Sequence, residues 1–208
     1  MEIEYKGANA VVISTKKATI VVDPKISRVG LKDIVVKDAI QLTTTDEDRV
    51  VANQRLLIDS PGEYEVGDVS VKGIAAVRHI DSDDAKKSTM YALNTGDVRI
   101  GIIGHVKVDL TEQQLEELGT IDILIVPVGG GGYTLDTIEA ITLTRKISPK
   151  VVIPTHYADP ALTYEVPQAE LDLFVKGLAA AHETVPKFKI KAGVLPEVLT
   201  VIEITRTS

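Results

Sequence analysis

Short runs of β-branched apolar residues alternate with polar turns in the first half of the chain, and with amphipathic stretches in the second. Residues 10–14 and 18–23 predict two strands joined through Thr15-Lys16-Lys17, a connection short enough for a hairpin. Pro24 ends the second strand, because proline cannot donate to a sheet ladder. Beyond a loop through Arg28-Val29-Gly30, residues 38–42 and 55–58 predict short strands separated by the polar segment 43–49. Ser60-Pro61-Gly62-Glu63-Tyr64 reads as turn chemistry. Gly67-Asp68 and Gly96-Asp97 each introduce an alternating strand, an echo too common to imply duplicated halves.

Helical patterns come later. Thr111-Glu112-Gln113-Gln114 fits a capping box, Leu115 and Leu118 share one face, and Gly119 stops the helix. Residues 121–128 form a nearly continuous apolar run, the pattern of a strand covered on both faces. Four glycines, Gly129 to Gly132, then lead into a helix over 136–146 that Ser148-Pro149 ends, followed by a buried strand at 151–153. A last helix is predicted to start at Pro167, with Leu171, Phe174, Val175 and Leu178 at helical spacing and His182 near its end. Residues 198–204 predict a closing strand. Strands first and strand–helix alternation later imply sheets flanked by helices, an α/β (α+β) class. No linker or low-complexity segment divides the chain, so residues 1–208 read as one domain.

Composition narrows the function classes. Aromatics are only 4% and tryptophan is absent, so the core must be built from Val, Ile, Leu and Ala. Cysteine is absent, which excludes disulfides, thiolate zinc sites and cysteine nucleophiles. A formal charge of −7 opposes nonspecific binding to a nucleic-acid backbone. No apolar stretch approaches the roughly 20 residues that span a bilayer. A cytoplasmic protein without membrane or nucleic-acid partners is therefore the expectation.

The candidate chemistry sits where apolar runs end. His79 closes residues 74–78, His105 follows 98–104, and His156 follows 151–155. A sheet holds its last side chain rigidly while the loop beyond leaves room for a ligand. Three imidazoles converging at one sheet edge would suit a metal, and Asp46 and Asp48 would add oxygen donors for Zn²⁺, Mn²⁺ or Fe²⁺. The glycine run matches neither a P-loop, which needs a following lysine, nor a dinucleotide fingerprint, and reads as a strand-to-helix turn. No Gly-x-Ser-x-Gly elbow supports a serine hydrolase.

Four stretches carry a family resemblance: Thr19-Ile20-Val21-Val22-Asp23-Pro24, Asp59 through Val66, Asp122 through Gly130, and Pro149 through Tyr157. In order and spacing they resemble the metallo-β-lactamase superfamily, specifically its small Zn-dependent hydrolase-like branch related to ascorbate-phosphate lactonases. The resemblance implies an αββα four-layer sandwich with a metal pair at the sheet edge, and superfamily members often pair as homo-oligomers. It also implies a degenerate site. The family's His-x-His-x-Asp-His loop falls on Thr44, Asp46, Asp48 and Arg49, of which only Asp48 is the expected residue. An early family histidine falls on Ala8, the bridging aspartate on His105, and further ligands on His79 and His156.

Two functions follow from the resemblance. One is a mononuclear metal-dependent hydrolase of a small ester, lactone or phosphoester. There one Zn ion (Mn or Fe as alternatives) is held by His79, His105, His156, Asp48 and Asp46, with Asp48 also the catalytic base. The other is a non-catalytic binding or scaffolding protein that kept the fold and lost the metal. In it Arg49 points inward to Asp46 or Asp48 and supplies the missing positive charge.

Overall fold

The protein is described here by a computed structural model that covers residues 1–78, 87–191 and 194–207. Two sheets account for most of it. The first contains β1 (Glu2–Gly7), β2 (Ala10–Ser14), β3 (Thr19–Val22), β4 (Ile40–Leu42), β5 (Leu56–Ile58) and the short β13 (Phe188–Lys189), in the order β13-β1-β2-β3-β4-β5. The second contains β6 (Gly62–Val66), β7 (Val69–Val77), β8 (Lys87–Asn94), β9 (Arg99–Ile102), β10 (Ile123–Pro127), β11 (Val151–Thr155), β12 (Ala181–Val185) and β14 (Thr200–Ile204). Its order is β12-β14-β11-β10-β9-β8-β7-β6.

Strand alternation explains how the sheets stack. Along β1 the odd positions Ile3 and Tyr5 are buried while Glu2 and Glu4 are half-exposed. These join Ile13, Ile20, Ile100, Ile125 and Ile153 in an apolar core between the two sheets. Both faces of β10 and β11 are buried, which accounts for their continuous apolar runs. The outer face of the second sheet is covered by α1 (Glu112–Leu118), α2 (Thr137–Ile147) and α3 (Leu171–Leu178), through Leu118, Leu143 and Phe174 among others. The outer face of the first sheet is covered more thinly, Val12, Val21 and Ala39 packing against Ile34 and Val36 of an extended segment. The expected layered sandwich is present, with that segment in place of an outer helix among the described residues. No helix among them is long and apolar enough to cross a membrane.

Capping works as the sequence predicts at α1 and α2. Thr111 accepts from Gln114 N and Asp136 from Glu139 N, each in a full capping box. Three local expectations change. α3 starts at Leu171, not Pro167, because Ala169 N donates to Gly129 O and ties that segment to the glycine loop. His182 lies on β12, where Nε2 meets Glu203 Oε2 at 3.0 Å. Gly62 to Tyr64 belong to β6, pairing with β7, so the turn is confined to Ser60-Pro61.

Candidate metal centre

Strand direction brings the candidate residues to one edge. β3 and β4 run parallel, so Asp23 and Thr44 emerge at the same end of the first sheet. β2 runs antiparallel to β3, which places the Ala8-Asn9 turn beside them. In the second sheet β9, β10 and β11 are parallel, and β7 and β9 both pair antiparallel to β8. Arg78, His105 and His156 therefore leave β7, β9 and β11 at a common edge. The two edges are joined by His156 N donating to Ala8 O at 2.8 Å and Thr89 N to Thr44 O at 2.9 Å. Between them lies a cavity of about 150 Å³ lined by Asn9, Asp23, Asp48, Arg78, His105 and His156 among others.

At its floor Asp23, Asp48 and His105 present donor atoms within 4.8 Å of one another. Thr44 holds Asp23, its N and Oγ1 each donating to a carboxylate oxygen at 2.7 Å. With its proton on Asp23, Thr44 Oγ1 accepts from His105 Nδ1, 3.1 Å away. Thr155 Oγ1 donates to Asn9 Oδ1 at 3.1 Å, which turns Asn9 Nδ2 toward His105 Nε2 at 3.3 Å. A directed chain thus runs Thr155, Asn9, His105, Thr44, Asp23. Gly104 makes the close approach feasible: with φ +61, an added Cβ would meet Thr44 Cγ2 at 2.3 Å.

The electrostatics follow from burial. Asp23 is 3% exposed, and desolvation, then the neighbouring Asp48 carboxylate, pushes its carboxyl well above the usual range. Desolvation holds the His105 imidazole below its ordinary value against the opposing pull of Asp48. His156 is pushed down to about 4, by burial first and His105 second. Both imidazoles are neutral at pH 7, the state in which they ligate metals. Gln168 Nε2 donates to Val166 O, which leaves its Oε1 to accept from His156 Nδ1 at 3.0 Å. The lone pair of His156 is then on Nε2. Its ring lies 5.9 Å from that of His105 and 4.9 Å from that of Tyr164.

Around this floor is a cationic wall. Arg28, on the 3-10 turn Ile26–Val29, pairs with Asp48 Oδ1, and Thr45 Oγ1 donates to Asp48 Oδ2 at 2.5 Å. Arg28 and Arg78 also both grip Glu47.

Of the sequence-predicted site residues, Asp48, His105 and His156 meet at the cavity. His79 lies outside the described residues. Asp46 does not join them: its side chain is 85% exposed. Arg49 keeps a pair with Asp46, at 3.8 Å, but on the outer side, where its shorter contact is to Asp59 Oδ2 at 2.7 Å, and Arg28 provides the cation on Asp48. The cause is the 3-10 turn Asp46–Asp48, in which residues three apart eclipse, so Asp46 and Arg49 share the outer side while Asp48 points in. Sequence reasoning missed Asp23, Asn9, Arg28 and Arg78. For Asp23 a signal existed, since it ends an apolar run as the histidines do.

Residues 2–156 match the family model described as the β-lactamase superfamily domain. The chain belongs to that superfamily. A protein from Thermotoga maritima, assigned as a Zn-dependent hydrolase of the metallo-β-lactamase superfamily, aligns over 98% of this chain and 99% of its own. The two share 25% identity at a TM-score of 0.74. A metallo hydrolase from Ignicoccus hospitalis shares the fold at 18% identity and TM-score 0.60, over 86% of this chain and 90% of its own. A UPF0173 metal-dependent hydrolase of Natranaerobius thermophilus is 44% identical over 43 residues, 21% of this chain. That match spans only 19% of the relative's length.

A superfamily metal implies a test of the donors present. Two buried carboxylates and a neutral imidazole are a hard-to-borderline set suited to Zn²⁺, Mn²⁺ or Fe²⁺. Ligand bonds of about 2.0–2.2 Å require donors roughly 3–4 Å apart. His105 Nδ1 and Asp48 Oδ2 are already at 3.6 Å. The set fits one ion after a small contraction and a change of His105 tautomer that takes the proton from Nδ1 to Nε2, with Asn9 turning its Oδ1 to accept it and Arg28 the competitor for Asp48.

Proposed function

We propose that this superfamily member is a hydrolase-type protein whose site takes a single divalent cation on Asp23, Asp48 and His105. Its substrate would be a small ester, lactone or phosphoester. The supporting observation is the convergence of three buried donors at 4.8 Å or less, with Asp23 raised by burial and by Asp48, a repulsion that a cation relieves. The metal-dependent hydrolase names of the relatives point the same way. When bound, such a cation supplies Lewis acidity and lowers the pKa of water. The chain's own groups have separate tasks. Thr44 and Asn9 orient His105, and Gln168 orients His156, leaving the lone pair of His156 on Nε2. His79, which follows Arg78 in the chain, is the residue to test as a further ligand.

The experiment is equilibrium metal binding to protein purified without chelator. About one equivalent of Zn²⁺ or Mn²⁺ is expected, with affinity lowered at least tenfold in Asp48→Asn and His105→Ala. Less than about a tenth of an equivalent after soaking would sink the proposal.

The Arg28–Asp48 pair favours a second reading, a metal-free binding protein in which the guanidinium is the permanent counter-charge. Arg28→Gln separates the two. Cation affinity rises in this variant if Arg28 is a competitor, and stays undetectable if the site has abandoned metal.

A further inference from the structure

The cavity holds a second charged constellation, which shares Arg28 with the cation site. Arg78 leaves the end of β7 with its side chain only 9% exposed. Its two terminal nitrogens donate to Glu47 Oε1 at 3.0 Å and Oε2 at 3.2 Å, and Arg28 donates to Glu47 Oε2 at 3.1 Å. Arg78 Nε is buried with no hydrogen-bond partner among the described residues. Burying a guanidinium is costly unless its donors are satisfied, and its planar fork suits carboxylate or phosphate oxygens. Lys25 borders the same cavity. Glu47 itself is nearly half-exposed and sits on a single 3-10 turn.

We infer that Arg28, Arg78 and Lys25 form a subsite for the phosphoryl group of a phosphate monoester, and that Glu47 is its internal occupant, displaced when the ligand arrives. This names a substrate class for the proposed site and so rests on that reading, although the anion contacts themselves need no cation. The choice of phosphoryl follows from donor count. Glu47 offers two oxygens to the three N–H groups named above and none to Arg78 Nε. Three terminal phosphoryl oxygens can accept those three donors and add Nε or Lys25. Departure of the Glu47 carboxylate removes one negative charge from the wall, which lets it hold a dianion.

The test is calorimetric titration of inorganic phosphate into metal-stripped protein at low ionic strength. Wild type, Glu47→Gln, Arg78→Lys and Lys25→Ala are compared, each checked for folding by circular dichroism. Glu47→Gln is expected to bind phosphate about tenfold more tightly than wild type, Arg78→Lys about tenfold more weakly, and Lys25→Ala about threefold more weakly. Should Arg78→Lys not fold, Lys25→Ala carries the loss arm. Phosphate binding unchanged in Glu47→Gln would overturn the occupant, and acetate binding that variant as tightly as phosphate would overturn the phosphoryl class. Phosphate binding by a protein that takes no Zn²⁺ would sink the cation proposal and support the subsite. Zn²⁺ binding without phosphate binding would do the reverse.

Discussion

Asp23 and His156 carry opposite pH signatures because burial acts on carboxyl and imidazole in opposite directions. The folded Asp23 carboxyl is raised, so its stabilising contribution is full below the unfolded value near about 3.9 and is lost as pH rises through the folded value. Asp23→Asn should therefore be more stable than wild type in urea unfolding near neutral pH, while losing cation binding. Asparagine can still accept from Thr44 N at this position. For His156 the folded value of about 4 lies below an unfolded value near 6.5. Its contribution is present above about 6.5 and falls away towards 4, a difference on the order of 3 kcal/mol. His156→Gln should flatten unfolding stability across that window; an unchanged slope would place the acid sensitivity elsewhere. At this scale His105 and His156 were legible because a polar residue at the end of an apolar run stands out, and Asp48 was legible only through the family resemblance. Asp23 had the same position and was hidden by Pro24, which made it look like mere punctuation. Arg28 and Arg78 were illegible, since nothing local distinguishes a cation that meets Asp48 or Glu47 only after the sheets stack.

Among the elements, the site depends on one close crossing. Gly104 at φ +61 lets the loop after β9 lie against Thr44, and any Cβ there strikes the threonine side chain. Gly104→Ala should cost about 2–4 kcal/mol in thermal or urea unfolding, from overpacking and left-handed backbone strain together, and should weaken cation binding through His105. Asp136→Ala is the control. It removes the α2 cap on the outer layer, should cost about 1 kcal/mol, and should leave cation binding intact. Caps and apolar periodicity made α1, α2, β10 and β11 readable from the sequence. The start of α3 was not, because Pro167 to Ala169 are claimed by hydrogen bonds to the glycine loop and to His156 that helical spacing does not encode. Local turn geometry likewise decided that Asp46 and Arg49 face outward while Asp48 faces in.

For the molecule as a whole, parallel strand pairs in each sheet are what gather five strand ends at one edge. That gathering is a consequence of topology, which the resemblance supplied and strand patterns alone did not. The result is a superfamily scaffold in which Thr44 serves Asp23 and an arginine rests on Asp48. The account turns on whether a cation can take that arginine's place. Anomalous diffraction from crystals grown with Mn²⁺ or Zn²⁺ tests it most directly. A single peak between Asp23, Asp48 and His105, with Arg28 withdrawn from Asp48, is the predicted result; no peak there, with the Arg28–Asp48 pair intact, would contradict it.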